Sequence, residues 1–395
     1  MRDGWLEAPL GRVFRTMTGT TPPKANEVLY GDFLPFVKPP ELLGGPVSSA
    51  KDGLSRQGAR QARIAPKGTV LVSCIGNLGK VGLVESDVAF NQQINALLPS
   101  PEHAVSKFMF YQCLSSRFRA QLESLATGTT IRMVNKSNFN SIEVILPPLS
   151  EQRRIAAVLD DAFDGIAKAQ MLANQNLLRV SSIIDSWLAA TFEQVARDSD
   201  SKRLGDATDR LTNGYVGPTR DIYMESGVPY LLAKHVKKNR LQFDGQTHVS
   251  EEFNRRNGKS TLKTGDVLLV QSGHIGHSAV VPAEHAGHNC HAMIVMSPRE
   301  DQLDGAFLSW YFGSPQMQEV FQSMRTGSTI KHLNCRDVRE MRVPLPSLAR
   351  QRKIAVSAEE LSVEVRGCMA KYRARIDDLG ELKASLLDCA LSGQL

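Results

Sequence analysis

No apolar run in the 395 residues approaches the length of about 20 that a bilayer-spanning helix needs. The opening Met1-Arg2-Asp3-Gly4-Trp5 has no apolar segment of the signal-peptide kind. Both absences lead to the expectation of a soluble, cytoplasmic protein with no membrane partner. The six cysteines, Cys74, Cys113, Cys290, Cys335, Cys368 and Cys389, are scattered, and none forms a Cys-x-x-Cys pair. Such spacing fits reduced thiols rather than a disulfide framework. Catalytic signatures are missing as well. Gly76-Asn77-Leu78-Gly79-Lys80-Val81 is too short for a phosphate-binding loop, and no Ser or Thr follows the lysine. There is no Asn-Pro-Pro-aromatic or Asp-Pro-Pro-aromatic tetrad, no His-Glu-x-x-His and no Gly-x-Ser-x-Gly. No catalytic residue is assigned, and a stand-alone enzyme is not expected.

What is present is ordinary globular material. Hydrophobic residues make up 42% and charged residues 22%, enough for real cores and against wholesale disorder. The net charge of +6 is compatible with a nucleic-acid partner without requiring one.

The informative feature is an internal repeat. Residues 126–149, ATGTTIRMVNKSNFNSIEVILPPL, match residues 325–348, RTGSTIKHLNCRDVREMRVPLPSL, at an ungapped offset of 199. The match continues from LSEQRRIA at 149–156 to LARQRKIA at 348–355. Upstream the offset drifts by a few residues, and Gly68-Thr69-Val70-Leu71 faces Gly265-Asp266-Val267-Leu268. The chain therefore divides into a mixed globular part (1–147), a helix-forming part (148–200), a second globular part (201–346) and a second helical part (347–395). Strand-like pieces such as Val70-Leu71-Val72 end in glycine-rich turns, and helical pieces at 105–124 and 304–324 follow. The fold class is α+β. Positive charge concentrates in the globular parts, where a DNA reader needs it.

Each helical part carries a heptad seam without Gly-Pro breaks. In the first it runs through Ile155, Leu159, Ile166, Asn176, Ile183 and Trp187. In the second it runs through Ile354, Leu361, Val365, Arg375, Leu379, Leu382 and Leu386. Asn176 and Arg375 fall at the equivalent step, either as a register-fixing polar pair or as a face turned to solvent. Two similar heads on long helices suit the pseudo-dyad of duplex DNA. A two-fold axis crossing the helices would pack them as an antiparallel coiled coil and place one head at each end.

The repeated TGTTIR and TGSTIK, the repeated LPPLSEQRRIA and LPSLARQRKIA, the terminal LLDCALSGQL, and Thr18-Gly19-Thr20-Thr21-Pro22 with Pro35-Phe36-Val37-Lys38 together resemble the specificity subunits of type I restriction-modification systems. The resemblance spans the chain. It implies two target-recognition domains reading a bipartite, asymmetric double-stranded DNA site, and helices that space them and dock two methyltransferase subunits. It also implies two restriction/translocase subunits joined through the methyltransferase. No cofactor is expected in this chain; S-adenosylmethionine, ATP and Mg would belong to the partners. Two alternatives are a coiled-coil scaffold that reads no DNA, and a specificity subunit serving a modification-only or phage-defence methyltransferase.

Candidate DNA contacts follow from residue chemistry. Thr129, Thr130 and Arg132, with Ser328, Thr329 and Lys331, combine hydroxyls, a flexible glycine backbone and a cation, a set suited to phosphate oxygens. The alternative is a structural turn that caps a helix. The turns at 73–80 and 270–277 place Asn77 opposite His274 and Lys80 opposite His277, and Gln93, beside Gln92, faces His291. Such side chains can address base edges, as can those at Ser272, although a polar hairpin tip without a ligand is the simpler reading for any one residue. Thr212-Asn213-Gly214-Tyr215 is set against Thr18-Gly19-Thr20-Thr21, which makes Thr18, Thr20, Thr212, Asn213 and Tyr215 further candidates. His274, His277, His285, His288, Cys290 and His291 crowd together and invite a zinc reading, but the first copy has Asn77, Lys80 and Gln93 there. No metal is assigned. Gln152-Arg153 and Gln351-Arg352 open the helices, placed to contact partner subunits or DNA; a solvated first turn is expected for the glutamines.

Overall fold

The structure is a computed structural model that describes residues 4–323 and 333–395. Ser328, Thr329 and Lys331 lie outside the described residues. The chain forms two compact units, residues 1–174 with 374–395, and residues 175–373. Each unit thus holds a globular part, the start of the long helix that follows it, and the end of the other long helix. The unit boundaries fall inside the helices, not at the ends of the helical segments read from the sequence.

In unit 1 a five-stranded sheet runs in the order Thr16–Thr18, Ile94–Leu97, Val70–Ser73, Val81–Val84, Gly45–Val47. In unit 2 a four-stranded sheet runs Thr208–Asn213, Met293–Pro298, Val267–Val270, Ser278–Val280. The first four strands correspond one to one, so the repeat is a repeat of topology. A smaller sheet flanks each, with Tyr30–Val37 at its heart in unit 1 and Val228–Leu231 in unit 2. Central strands such as Val70–Ser73 and Val267–Val270 are buried at every position, which is why they read as continuous apolar runs. The ends of each globular part are tied together: Leu6–Pro9 pairs with Glu143–Leu146, and Ser201–Arg203 with Arg342–Pro344.

Each single helix read at 105–124 and 304–324 is two helices, broken at Ser115 and Ser314. The Ser115 and Ser314 hydroxyls accept the backbone N–H of Phe118 (3.2 Å) and Met317 (3.4 Å), restarting the helix with a serine cap. Beneath these helices Phe118 and Leu122 in unit 1 are matched by Met317 and Phe321 in unit 2, all buried. Large and smaller side chains have exchanged places, which roughly keeps core volume.

The long helices span Leu149–Asp198 and Leu348–Leu391, 50 and 44 residues. In unit 1, Ile155, Ala156 and Leu159 share a core with Leu387, Ala390 and Leu391 and with Phe108 and Phe139. Lys383 Nζ stands 4.8 Å from the Phe163 ring centre. In unit 2, Leu188, Phe192 and Val195 share a core with Ile354, Ala355 and Ala358 and with Phe307 and Trp310, and Arg350 pairs with Asp198 at 3.0 Å. In both units the start of one helix meets the end of the other, so the two run antiparallel.

The strict heptad, which also steps through Cys368, fails from the middle of each helix onward. Ile183 is 45% exposed and Leu382 47% exposed, and Cys368 and Arg375 are also exposed. The inner stripe runs instead through Ile155, Leu159, Ile166, Ala173, Val180, Ile184, Leu188 and Val195, and through Ile354, Ala358, Val365, Met369, Ile376, Leu387 and Ala390. Its spacing is about 3.6 residues, that of a straight helix; a seven-residue repeat drifts about 20° per heptad from it. Leu361, Leu379, Leu386 and Trp187 stay half-buried, and Val365 is buried. Asn176 is half-buried while Ile376 takes the place assigned to Arg375, so no register-fixing polar pair forms.

The expectation of solvated glutamines is also overturned. Gln152 is 1% exposed and Gln351 0%. Gln152 Nε2 donates to the carbonyls of Pro147 (2.8 Å) and His103 (3.2 Å), and its Oε1 accepts the Val105 N–H (2.8 Å). Gln351 repeats this: Nε2 donates to Pro346 and Gln302 (both 2.8 Å) and Oε1 accepts the Asp304 N–H (2.8 Å). Each glutamine satisfies three backbone groups where the helix pair, the linker and the long helix converge. The first turn offers a buried side for Gln152 and Gln351 and an exposed side for Arg153 and Arg352.

Candidate nucleic-acid interface

Four segments of unit 1 meet at one end of its sheet. Thr18 ends a strand, and Gly19 and Thr20 continue it by donating to the carbonyls of Ile94 and Phe90, both at 3.0 Å. A Cβ on Gly19 would stand 2.1 Å from the Asn91 carbonyl oxygen, so only glycine fits. Thr18 Oγ1 donates to Asn95 Oδ1 (2.6 Å), and Thr21 donates to Gln92. Arg63 crosses over this segment: its Nη1 donates to the Thr18 carbonyl (2.6 Å) and its N–H to Thr20 Oγ1 (3.0 Å). The Gln93 carbonyl accepts the Cys74 N–H (2.7 Å), and its side-chain oxygen accepts from Asn91 (2.9 Å). The turn after Cys74 leaves Asn77 exposed and Lys80 half-buried.

The TGTTIR element is a loop closed by reciprocal hydrogen bonds between Thr127 and Met133, both 2.8 Å. It is tied to the turn by Gly76 N–H to Arg132 carbonyl and Val134 N–H to Cys74 carbonyl, both 2.8 Å. Thr129 and Thr130 are exposed at its tip. Arg132 is exposed too, with Nη2 on the Glu123 carbonyl (2.7 Å) at the end of helix Ser116–Ser124. Asn135 caps the next helix by accepting the Asn138 N–H (2.8 Å), and Asn334 does so for Asp337 (2.9 Å). That role accounts for the asparagine shared by both copies.

Unit 2 builds the same end with different side chains. Gly214 and Tyr215 donate to the carbonyls of Met293 (2.7 Å) and Cys290 (2.9 Å), and a Cβ on Gly214 would stand 2.7 Å from the Cys290 oxygen. Gly214 is therefore the counterpart of Gly19. Asn213 matches Thr18 and Tyr215 matches Thr20, one residue later than the sequence comparison placed them, and Thr212 falls back into the strand opposite Val295. The cause is a register shift between Thr208 and Arg210, which adds a residue to the strand.

Tyr215 stacks edge-on against Phe253 (4.9 Å between centres) and lies 6.4 Å from the His291 ring. Tyr230 stands behind, 6.2 Å from His291 and 5.9 Å from Phe253. Burial pushes the His291 pKa down and the Tyr230 pKa up, so a neutral imidazole faces a protonated phenol. Cys335 donates to Asn213 Oδ1 at 3.0 Å. Ser272 is half-buried; His274 is exposed and stacks on His277, 5.2 Å apart at 9°. His277 turns away from this end towards the hairpin at 236–241, its pKa lowered first by burial and then by His274.

The histidine-rich stretch separates into three places. His274 pairs with His277, His285 and His288 face each other with Nδ1 atoms 3.2 Å apart, and His291 joins the tyrosines; Cys290 is fully buried. Among the described residues no group of three or more His, Cys, Asp or Glu is placed to hold a metal ion.

The sequence comparison missed Arg63, Asn95, Tyr230, Phe253 and Cys335. Arg63 is 45 residues from Thr18, and Cys335 is 122 from Asn213; only strand pairing brings them together.

The chain matches the type I restriction modification DNA specificity domain over residues 2–174 and again over 197–359. It belongs to the type I restriction-modification specificity family. The specificity subunit of the EcoKI enzyme of Escherichia coli K12 is 22% identical over 100% of this chain and 89% of its own length. That of the MjaIX enzyme of Methanocaldococcus jannaschii is 21% identical over 83% of this chain and 80% of its own. A stretch covering 36% of this chain is 32% identical to 32% of the HindI specificity subunit of Haemophilus influenzae. Among solved structures, a chain from a study of complex assembly in a type I system superposes with a TM-score of 0.81 at 21% identity, covering 100% of this chain and 99% of that one. The HsdS subunit from Thermoanaerobacter tengcongensis gives 0.62 at 20% identity, covering 100% and 98%. As a member of this family the chain is a non-catalytic subunit that confers DNA sequence specificity. Among the described residues no helix is long and apolar enough to cross a membrane.

Proposed function

We propose that the two sheet ends read the two halves of a split, asymmetric DNA target. The supporting observation is the pairing of a shared scaffold with unlike side chains: Thr18 and Asn213, Thr20 and Tyr215, and Asn77 and His274 hold equivalent places, and Asn91, not Gln93, stands where His291 does, its N–H on the Val37 carbonyl as that of His291 is on Leu231. A hydroxyl, an amide and an imidazole present different donor and acceptor patterns to base edges. Thr129, Thr130 and Arg132 contact phosphate in unit 1, and Ser328, Thr329 and Lys331 do so in the second copy. The long helices dock two methyltransferase subunits, which carry S-adenosylmethionine, and two restriction subunits join through them with ATP and Mg.

Exchanging residues 201–346 for those of a family member with a different target tests the modular reading. One half of the methylated motif is expected to change while the other half and the gap persist. Alteration of both halves contradicts it.

A further inference from the structure

Unit 2 contains a cavity of about 650 Å³ between the hairpin at 236–241, the paired helices Gly305–Gly313 and Pro315–Ser323, and the long-helix segments of the same unit. Its rim is cationic, with Lys237, Lys238, Arg240 and Arg366. Asp185 lines it, and Glu359 beside it engages two of these cations, Arg240 (3.5 Å) and Arg366 (3.3 Å). Lys237 and Lys238 form no ion pair with the described residues. The floor is apolar: Ile184, Leu188, Trp310 and Met369.

The hairpin tip is a built feature. Lys237 pairs with Arg240, leaving Lys238 and Asn239 as a two-residue turn with φ of +34° and +64°. Such turns favour Asn and Gly at both central positions, so a lysine there is strained. The turn is clamped from below: Asn239 Oδ1 accepts from Ser309 Oγ (2.5 Å), and the Asn239 N–H donates to the Ser278 carbonyl (2.9 Å). Unit 1 makes the matching backbone contact with Gly44 N–H on Val81 (2.9 Å), but its turn carries Leu43, 84% exposed, in place of the lysine. Folding of the repeat therefore does not require the cation. His277 also lines the cavity, and its buried Nδ1 has no hydrogen-bond partner among the described residues.

We propose that this cavity binds a nucleoside polyphosphate, with its phosphates on Lys237 and Lys238 and its base over the apolar floor. The volume falls within the range of about 300–1,000 Å³ common for small-molecule sites. Charge-assisted bonds to lysine hold the phosphates, and the half-buried Ile184 and Met369, backed by the buried Trp310 and Leu188, supply the contact area that a flat base buries. A duplex backbone reaches the lysines but leaves the floor unfilled; a free nucleotide uses both.

Calorimetric titration of the full-length chain with ATP, ADP and inorganic pyrophosphate tests the proposal. Saturable ATP binding is expected, with pyrophosphate weaker because it leaves the floor empty. The Lys237→Ala/Lys238→Ala variant is expected to bind ATP about tenfold or more weakly while retaining affinity for target duplex. Absence of saturable binding, or equal ATP affinity in the variant, overturns the proposal. So does displacement of ATP by target duplex together with weakened duplex binding by the variant, which would assign the lysines to the DNA backbone.

Discussion

Replacing Gln351 by leucine is expected to lower the unfolding temperature of unit 2 by about 6 °C or more. Leucine is close to glutamine in volume, so the change isolates the hydrogen bonds. It strands three backbone groups, the carbonyls of Pro346 and Gln302 and the N–H of Asp304, around a side chain that is 0% exposed. Each stranded group costs about 1–3 kcal/mol, together about 3–9 kcal/mol. One kcal/mol shifts the midpoint of a unit this size by about 2–4 °C. Gln152→Leu should act alike on unit 1, since its three partners are the same kind of groups. Arg352→Ala is the control: its side chain is 65% exposed and its nearest acid is 3.9 Å away, so an effect within about 0.5 kcal/mol is expected. Thermal unfolding followed by circular dichroism reads all three variants. A shift of only a degree or two in Gln351→Leu would show that water replaces the glutamine, and the clamp would lose its role.

Removing Tyr215 and His291 together should weaken binding of the chain's target duplex by about 30-fold or more. A specific base contact contributes about 1–3 kcal/mol, and about 2 kcal/mol corresponds to roughly 30-fold. Neither side chain carries a full positive charge, because burial holds His291 neutral. The salt dependence and the affinity for unrelated duplexes should therefore stay unchanged. Tyr215 also packs on Phe253, so Tyr215→Phe separates the roles: it keeps the ring contact at 4.9 Å and removes the hydroxyl. Its loss should fall between wild type and the double variant. Binding isotherms at two salt concentrations check this. A uniform loss on all duplexes would move these residues from reading to general attachment.

The repeat made the two-unit architecture legible, because topology that is used twice leaves matched residues behind. It also hid something. Gln152 and Gln351, expected in a solvated first turn, are identical because they perform the same buried clamping, and Asn135 and Asn334 because both cap a helix. Residues that differ on a shared backbone, such as Thr20 and Tyr215, are the better candidates for reading. The one-residue error at Thr212 came from the irregularity between Thr208 and Arg210, which alternation of side chains cannot reveal when both faces are partly covered. The seam was misassigned beyond its middle because a strict seven-residue step was carried along straight helices, moving Ile183 and Leu382 to the outside. Arg63 and Tyr230 carry no local signal; pairing across the sheets positions them.

The most direct test of the account is a genome-wide map of methylated bases in cells carrying this chain with its methyltransferase subunits. The expected result is one motif in two unlike halves, separated by a gap of fixed length without base preference. A single uninterrupted motif, or methylation with no motif at all, would contradict two reading heads on one chain.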